Sequence, residues 1–110
     1  MLVRLFKGDL KLMKSIIQVN KECFICRVNH DVETTTGLHE HHIFGGVSRR
    51  RLSEKYDLKV YLCYRHHNFD NHSVHYLKAL DLDLKRRAQQ EFEKTHTSDE
   101  FIETLFKSYL

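Results

Sequence analysis

Metal-binding residue types are unusually frequent in this chain. Its 110 residues include nine His and three Cys, with no Pro and no Trp. All three Cys, and every His except His96, lie between residues 21 and 76. Three Cys cannot all pair as disulfides, and Cys and His in joint excess indicate metal binding before redox chemistry. A chain of this kind is therefore expected to fold around a bound metal ion.

Length and composition set further bounds on the fold. A chain of 110 residues fits one domain, with a core near the lower limit for independent stability. Hydrophobic residues make up 41% and charged residues 30%, which is ordinary for a soluble globular protein and argues against disorder. No apolar run approaches the ~20 residues of a membrane span, and charges interrupt residues 1–19 where a signal peptide would lie. We therefore expect no membrane partner and a cytoplasmic location.

Two short motifs predict a structural zinc site. Cys23-x-x-Cys26 and Cys63-x-x-His66 each place two ligands on one tight turn. Four ligands with sulfur in the majority suit tetrahedral Zn²⁺, and a small domain gains folding free energy directly from such a site. The alternative is a free, buried thiol pair beside an unrelated Cys63. A redox Cys-x-x-Cys is less favoured because no βαβ pattern surrounds it.

Secondary-structure signals divide the chain into three regions. Residues 1–20 form an N-terminal segment that is compatible with a helix. Its apolar positions Leu5, Leu12, Ile16 and Val19 would lie on one helical face. In the middle region, alternation predicts a strand over 58–62, followed by a short helix over 64–71. Residues 76–110 show helical periodicity, with Asp81 or Asp83 as an expected N-cap.

The last region carries two further helical signals. Its first helix has an apolar stripe, and a capping box opens a second helix with its own apolar positions. The stripe is Leu80, Leu84, Ala88 and Phe92; the box is Thr97-Ser98-Asp99-Glu100; the following apolar positions are Phe101, Ile102, Leu105, Phe106 and Tyr109. The net charge of −3 over 81–103 favours a packing brace over a nucleic-acid surface.

A second group of His predicts another metal site. Successive helical residues lie about 100° apart, so His67 points away from a zinc ligand at His66. On an expected strand before Gly45-Gly46, His41 and His42 face opposite sides. One of them can bind a cation together with His67, while its neighbour faces a substrate. In phosphodiester hydrolysis, a neutral His can act as the general base that deprotonates water. A bound cation stabilises the negative charge on the scissile phosphate.

The segments 38–46 and 62–68 resemble the HNH endonuclease family, and the wider pattern is similar to small phage-encoded HNH proteins. The resemblance implies an α+β chain with a small zinc-stabilised ββα-metal core, treble-clef-like, over residues 21–76. Residues 1–20 are then a flanking lead, and 77–110 a helical C-terminal extension of the same domain. The family's middle Asn has no clean match, since Asp57 is offset by about one position, and the Pro that usually follows the base is absent.

The resemblance also implies roles for individual residues. His41 and His67 match the ligands of a catalytic divalent cation (Mg²⁺, Mn²⁺, Ni²⁺ or Zn²⁺), with Asn71 or His75 completing the set. His42 matches the general base that activates water, and Cys63-x-x-His66 matches the second half of the zinc knuckle. The remaining His are expected to be ordinary surface residues: His30, His39, His72 and His96.

The charge of the central region favours DNA as the partner. Residues 40–78 carry a net charge of +3, and the Arg49-Arg50-Arg51 run is expected in a loop between the strands. Such a loop suits phosphate contact, which positions a duplex without reading its sequence. The expected DNA-binding residues are Arg49, Arg50, Arg51, Lys55 and Arg65.

Three functions remain open on the sequence alone. The first is a metal-dependent DNA endonuclease that nicks or cuts duplex DNA, and the second is a zinc-stabilised DNA-binding module without catalysis. The third is a protein-interaction domain that uses the helical tail, as a homodimer or with a phage protein partner.

Overall fold

An antiparallel pair of strands and four α-helices make up the part of the chain that the structure describes. The structure is a computed structural model that describes residues 15–69 and 73–110. The elements run α1 (Phe24–His30), β1 (Leu38–His42), α2 (Val47–Lys55), β2 (Lys59–Cys63), a π-helical turn (Arg65–Phe69), α3 (Lys78–Phe92) and α4 (Ser98–Leu105). The predicted positions Leu5, Leu12, Asn71 and His72 lie outside the described residues. The α+β class is confirmed.

The hairpin register places the site residues. Strand β1 pairs antiparallel with β2, so that Leu38 lies opposite Cys63 and His41 lies opposite Val60. Val60 and Leu62 are buried on one face of β2, as the period of two along a strand requires. The predicted strand over 58–62 begins and ends one residue before the observed strand Lys59–Cys63. Leu58 is buried like a strand residue, but it lies just before the first paired residue.

An apolar core joins the hairpin to the C-terminal helices. The Phe101 ring of α4 packs edge-on against Phe44 at 5.8 Å and against Phe92 of α3 at 5.3 Å between centroids. The predicted stripe of α3 is confirmed, since Leu84, Ala88 and Phe92 are buried and Leu80 packs against the core. Within the described residues, no helix combines the length and the apolar character that a bilayer crossing requires.

The helix ends confirm one prediction and correct two others. At the start of α4, the Thr97 hydroxyl accepts from the Glu100 N–H and the Glu100 carboxylate accepts from the Thr97 N–H, as the capping box predicts. Helix α3 begins earlier than predicted: Leu77 is its N-cap, so Asp81 lies in its first turn and caps nothing. Helix α4 ends at Leu105, because Phe106 adopts a left-handed φ of 75°. Phe106 and Tyr109 therefore lie beyond it.

A helix, not a loop, connects the two strands. The Arg49-Arg50-Arg51 run lies within α2, which corrects the expected loop. Helix α2 is anchored by Ser53, a buried residue whose hydroxyl accepts from the Phe44 N–H at 3.1 Å and donates to the Phe44 carbonyl at 3.0 Å. Ser53 thus braces the chain just after β1. Asp57, the residue nearest to the family's middle Asn, instead turns the chain with a φ of 57°.

Replacing Ser53 by Ala should destabilise the fold. The change leaves the buried N–H and C=O of Phe44 without their partner, which costs about 1–3 kcal/mol of unfolding free energy. Urea denaturation followed by circular dichroism measures this loss. The matched control is Ser48→Ala, since Ser48 is exposed on the same helix. Equal stability of the two variants would contradict the bracing role.

Candidate metal centres and the cavity between them

The four residues of the two zinc motifs converge in space. Cys23 is the N-cap of α1, and its Sγ accepts from the Cys26 N–H at 3.4 Å, which turns both thiols the same way. Cys63 ends β2, and His66 lies in the π-helical turn that follows. Their donor atoms all lie within 4.8 Å of one another. The structure therefore brings together all four predicted zinc residues.

The distances suit a tetrahedral zinc ion. The Nδ1 atom of His66 lies 3.3 Å from Cys63 Sγ, 3.4 Å from Cys26 Sγ and 3.6 Å from Cys23 Sγ. The Sγ atoms of Cys26 and Cys63 are 3.9 Å apart. Tetrahedral Zn²⁺ with its usual bond lengths separates ligand atoms by roughly 3.5–3.8 Å. This largely buried group can hold a structural metal ion such as zinc.

Burial makes the thiol chemistry depend on a cation. Desolvation raises the pKa of the Cys23 thiol to about 12, so at neutral pH it stays protonated in the absence of a positive charge. A bound cation reverses that preference, because thiolate is the ligating form. Filling the site therefore releases protons, and its affinity rises with pH.

Three His form a second group close to the first. His41 from β1, His67 from the π-helical turn and His75 from the segment before α3 bring their ligand atoms within 4.8 Å of one another. Their ring centroids are 5.0–5.7 Å apart. The structure thus joins three of the four residues predicted for the catalytic cation.

His41 has the properties expected of a metal ligand. It is only 7% exposed, and its Nε2 has no hydrogen-bond partner among the described residues. Burial, followed by the neighbouring His67 and His75, lowers the pKa of His41 to about 3. The pKa of His67 is also lowered, mainly by burial. Both rings are therefore neutral at physiological pH, which is the form that binds metal. A buried, unpartnered nitrogen beside two further imidazoles fits a bound cation.

His39 is a site residue that the sequence interpretation missed. It was expected to be an ordinary surface residue, but it is half-buried and its Nδ1 lies 2.9 Å from Nδ1 of His67. A hydrogen bond to the second ring nitrogen is how proteins orient a metal-binding His. The sequence could have indicated this role, because side chains two residues apart on a strand share a face and His39 therefore lies on the same face of β1 as His41.

His42 faces away from the three-His group. Its Nε2 donates to the Glu54 carboxylate at 2.7 Å, while the Lys59 ammonium donates to the other oxygen of Glu54 at 2.7 Å. Lys59 also lies 3.3 Å from the Glu40 carboxylate. Glu54 was not predicted as a site residue; its pKa is lowered, first by the hydrogen bond from Lys59 and then by that from His42. The carboxylate holds the His42 ring, and Lys59 balances the acidic charge.

One open cavity of about 490 Å³ connects the second metal group to the proposed base. Both faces of the β1 end reach it, because the chain turns at Gly45 and Gly46 and brings α2 over the strand. Strand β1, helices α2 and α3, the π-helical turn and the segment before α3 supply its principal polar residues: His41, His42, Arg49, Arg50, Asp81, Lys85, His67 and His75.

The five predicted DNA-binding residues do not all lie at the cavity. Arg49 and Arg50 line the cavity, and Arg51 lines a shallow depression beside it together with His42 and Glu54. Lys55 lies at the end of α2, where its ammonium is 5.3 Å from the Tyr56 ring centroid. Arg65 borders the zinc group instead.

Two of the remaining His have ring contacts. His30 is exposed as expected, although its ring stacks on that of His66 at 5.7 Å between centroids. His96 is half-buried and stacks on Phe92 at 4.1 Å, which corrects the prediction of a surface residue.

Comparisons with protein-family models, with curated proteins and with solved structures found no match to this chain.

We expect the purified protein to retain about one zinc per chain through the four-residue group, and to lose its fold when a chelator removes it. Cys26→Ser should abolish retention, whereas His66→Cys should preserve it, because four thiolates also bind zinc tetrahedrally. Mass spectrometry of the metal content and thermal unfolding with and without chelator are the measurements. Zinc retention by Cys26→Ser equal to that of the parent would contradict the assignment.

Proposed function

We propose that this chain is a metal-dependent DNA endonuclease of the HNH type, which hydrolyses phosphodiester bonds. One observation carries the proposal: a single cavity is lined by the three-His group, by His42 and by two Arg side chains. A cation site, a general base and phosphate-binding charge are the three requirements of this reaction. The resemblance of segments 38–46 and 62–68 to HNH proteins supports the same function.

The cation site of the proposal consists of His41, His67 and His75, held in register by the hairpin and the π-helical turn. A divalent cation bound there would stabilise negative charge on the scissile phosphate. Imidazole nitrogens favour Zn²⁺ and Ni²⁺ over Mg²⁺, because Mg²⁺ prefers oxygen donors. His39 would set the orientation of His67 through the contact between their Nδ1 atoms.

His42 is the general base of the proposal. Its Nε2 is engaged by Glu54, so Nδ1 is the nitrogen left to accept a proton from water. The water oxygen forms a bond to phosphorus as its proton passes to Nδ1. The bond from phosphorus to the leaving sugar oxygen breaks with its electron pair, and that oxygen takes a proton from solvent. Glu54 stabilises the imidazolium that results, as the carboxylate does in other His-carboxylate pairs.

Arg49 and Arg50 are the phosphate contacts of the proposal. Both line the cavity that contains His42, and their helix begins directly after the Gly45-Gly46 turn. Contacts of guanidinium groups to phosphate position a duplex but do not specify its sequence. The zinc group lies outside this cavity and has a structural role in the proposal.

Replacing His42 by Ala should lower the rate of plasmid nicking by about 10²–10⁴-fold, the usual contribution of a general base. Metal content and duplex binding should stay at the level of the parent, because His42 is not among the proposed ligands. The assay measures supercoiled plasmid in Mg²⁺, Mn²⁺, Ni²⁺ and Zn²⁺. His96→Ala is the matched control, since His96 packs on Phe92 away from the cavity. Cleavage by His42→Ala at the parental rate would refute the base assignment.

Replacing His41 by Ala should remove the second metal equivalent while the structural zinc is retained. Calorimetric titration of the zinc-loaded protein with Ni²⁺ or Mn²⁺ measures the difference, and cleavage should be lost with it.

If the parent protein binds duplex DNA yet cleaves in none of the four metals, it is a zinc-stabilised DNA-binding module, and the endonuclease proposal fails.

A further inference from the structure

Helix α3 contributes two charged side chains to the cavity. Asp81 and Lys85 both line it, one helical turn apart, and the Lys85 Nζ lies 2.8 Å from an Asp81 carboxylate oxygen. Their side chains keep 33% and 20% of their exposure, so both can be reached from the cavity. The acidic balance of this region had favoured a purely structural brace, and the position of Lys85 departs from that expectation.

The ring of Tyr109 and the Asp81 carboxylate both contact Lys85 and restrict its direction. The Lys85 Nζ is 5.5 Å from the centroid of this ring, which packs in turn against Phe44 at 5.6 Å. The Tyr109 hydroxyl also accepts from a terminal nitrogen of Arg49 at 3.5 Å. One aromatic side chain therefore contacts two of the cations that line the cavity. A cation held in place before a ligand arrives loses little freedom on binding it.

Lys85 also shares its cavity with the three-His group. His41, His67 and His75 line the same cavity as Lys85. The ammonium therefore borders the space beside the proposed cation ligands. An anion placed there would contact Lys85 on one side and the cation site on the other.

We propose that Lys85 is a catalytic residue that contacts the scissile phosphate and stabilises the negative charge that develops on it. This inference rests on the proposed endonuclease function and adds helix α3 to the site. Asp81 balances the ammonium while the cavity is empty of substrate, and the phosphate competes for the same ammonium when DNA binds. A fixed cation aimed at developing charge is among the strongest contributions to catalysis in a partly dehydrated cavity.

Cleavage kinetics give the first test. Lys85→Met keeps the aliphatic stem and removes the charge, and it should slow plasmid nicking by about 10–10³-fold at saturating DNA, by analogy with the loss of one charge-stabilising donor. Lys85→Arg should restore part of the rate. Metal content and thermal stability should match the parent. The matched control is Lys94→Met, because Lys94 lies just beyond the other end of α3 and is 68% exposed.

Phosphate binding gives a second test that does not depend on cleavage. Lysine-labelled protein, supplied with Zn²⁺ for both metal groups, is titrated with dimethyl phosphate, and the side-chain Cε–Hε signals are followed by NMR. The Lys85 signal is assigned by its absence from Lys85→Arg. It should shift in a saturable manner, while the Lys94 signal should stay in place.

The outcomes separate the two proposals. A parental cleavage rate in Lys85→Met, or a Lys85 signal that does not move, overturns the role of Lys85 and leaves the endonuclease proposal intact if the parent cleaves. Absence of cleavage by the parent in every metal refutes the endonuclease proposal and, with it, the catalytic role of Lys85; a saturable shift would then identify only a phosphate-binding subsite.

Discussion

Convergence of three thiols and one imidazole is the constraint on which the rest of this structure depends. This Cys/His group brings the start of α1 to the end of β2, two segments about 40 residues apart in the chain. A structural metal ion held there would supply folding free energy that a thin apolar core alone does not. His67 follows the zinc ligand His66 directly, so the direction of its ring toward β1 depends on the same group.

The alternation of side chains along β1 separates two kinds of chemistry. His39 and His41 face the π-helical turn, where their rings meet His67, while His42 faces Glu54 of α2. A low-polarity environment keeps His41 neutral, whereas His42 lies against a carboxylate. Identical side chains, adjacent in sequence, thus have different environments because a strand presents them to opposite sides. The cavity at the end of β1 is where both sides become accessible together.

Local spacing predicted more of this site than of the fold around it. The two x-x spacers predicted all four residues of the Cys/His group. Strand and helix geometry predicted His67 together with one of His41 and His42, and the family resemblance selected His41 and added His75. Glu54, Ser53 and Lys85 were missed because their contacts join different elements: Glu54 reaches His42 from α2, and Lys85 enters the cavity from α3. The Arg run was expected in a loop because polar sequence alone does not distinguish a solvated helix from a loop. The early start of α3 was missed for a related reason, since Leu77 makes no side-chain cap that a sequence could show.

The adjacency of His66 and His67 has a consequence for how this sequence can vary. Their Cα atoms belong to one short turn, yet their rings serve two separate groups. A single inserted or deleted residue between β2 and this turn would displace a donor from both groups at once, and no change of rotamer could restore either. The exposed residues 31–33 between α1 and β1 supply a donor atom to neither group, so a change of length there displaces no ligand directly. Variants of this domain should therefore differ in length before β1 and keep the spacing from Cys63 to His67.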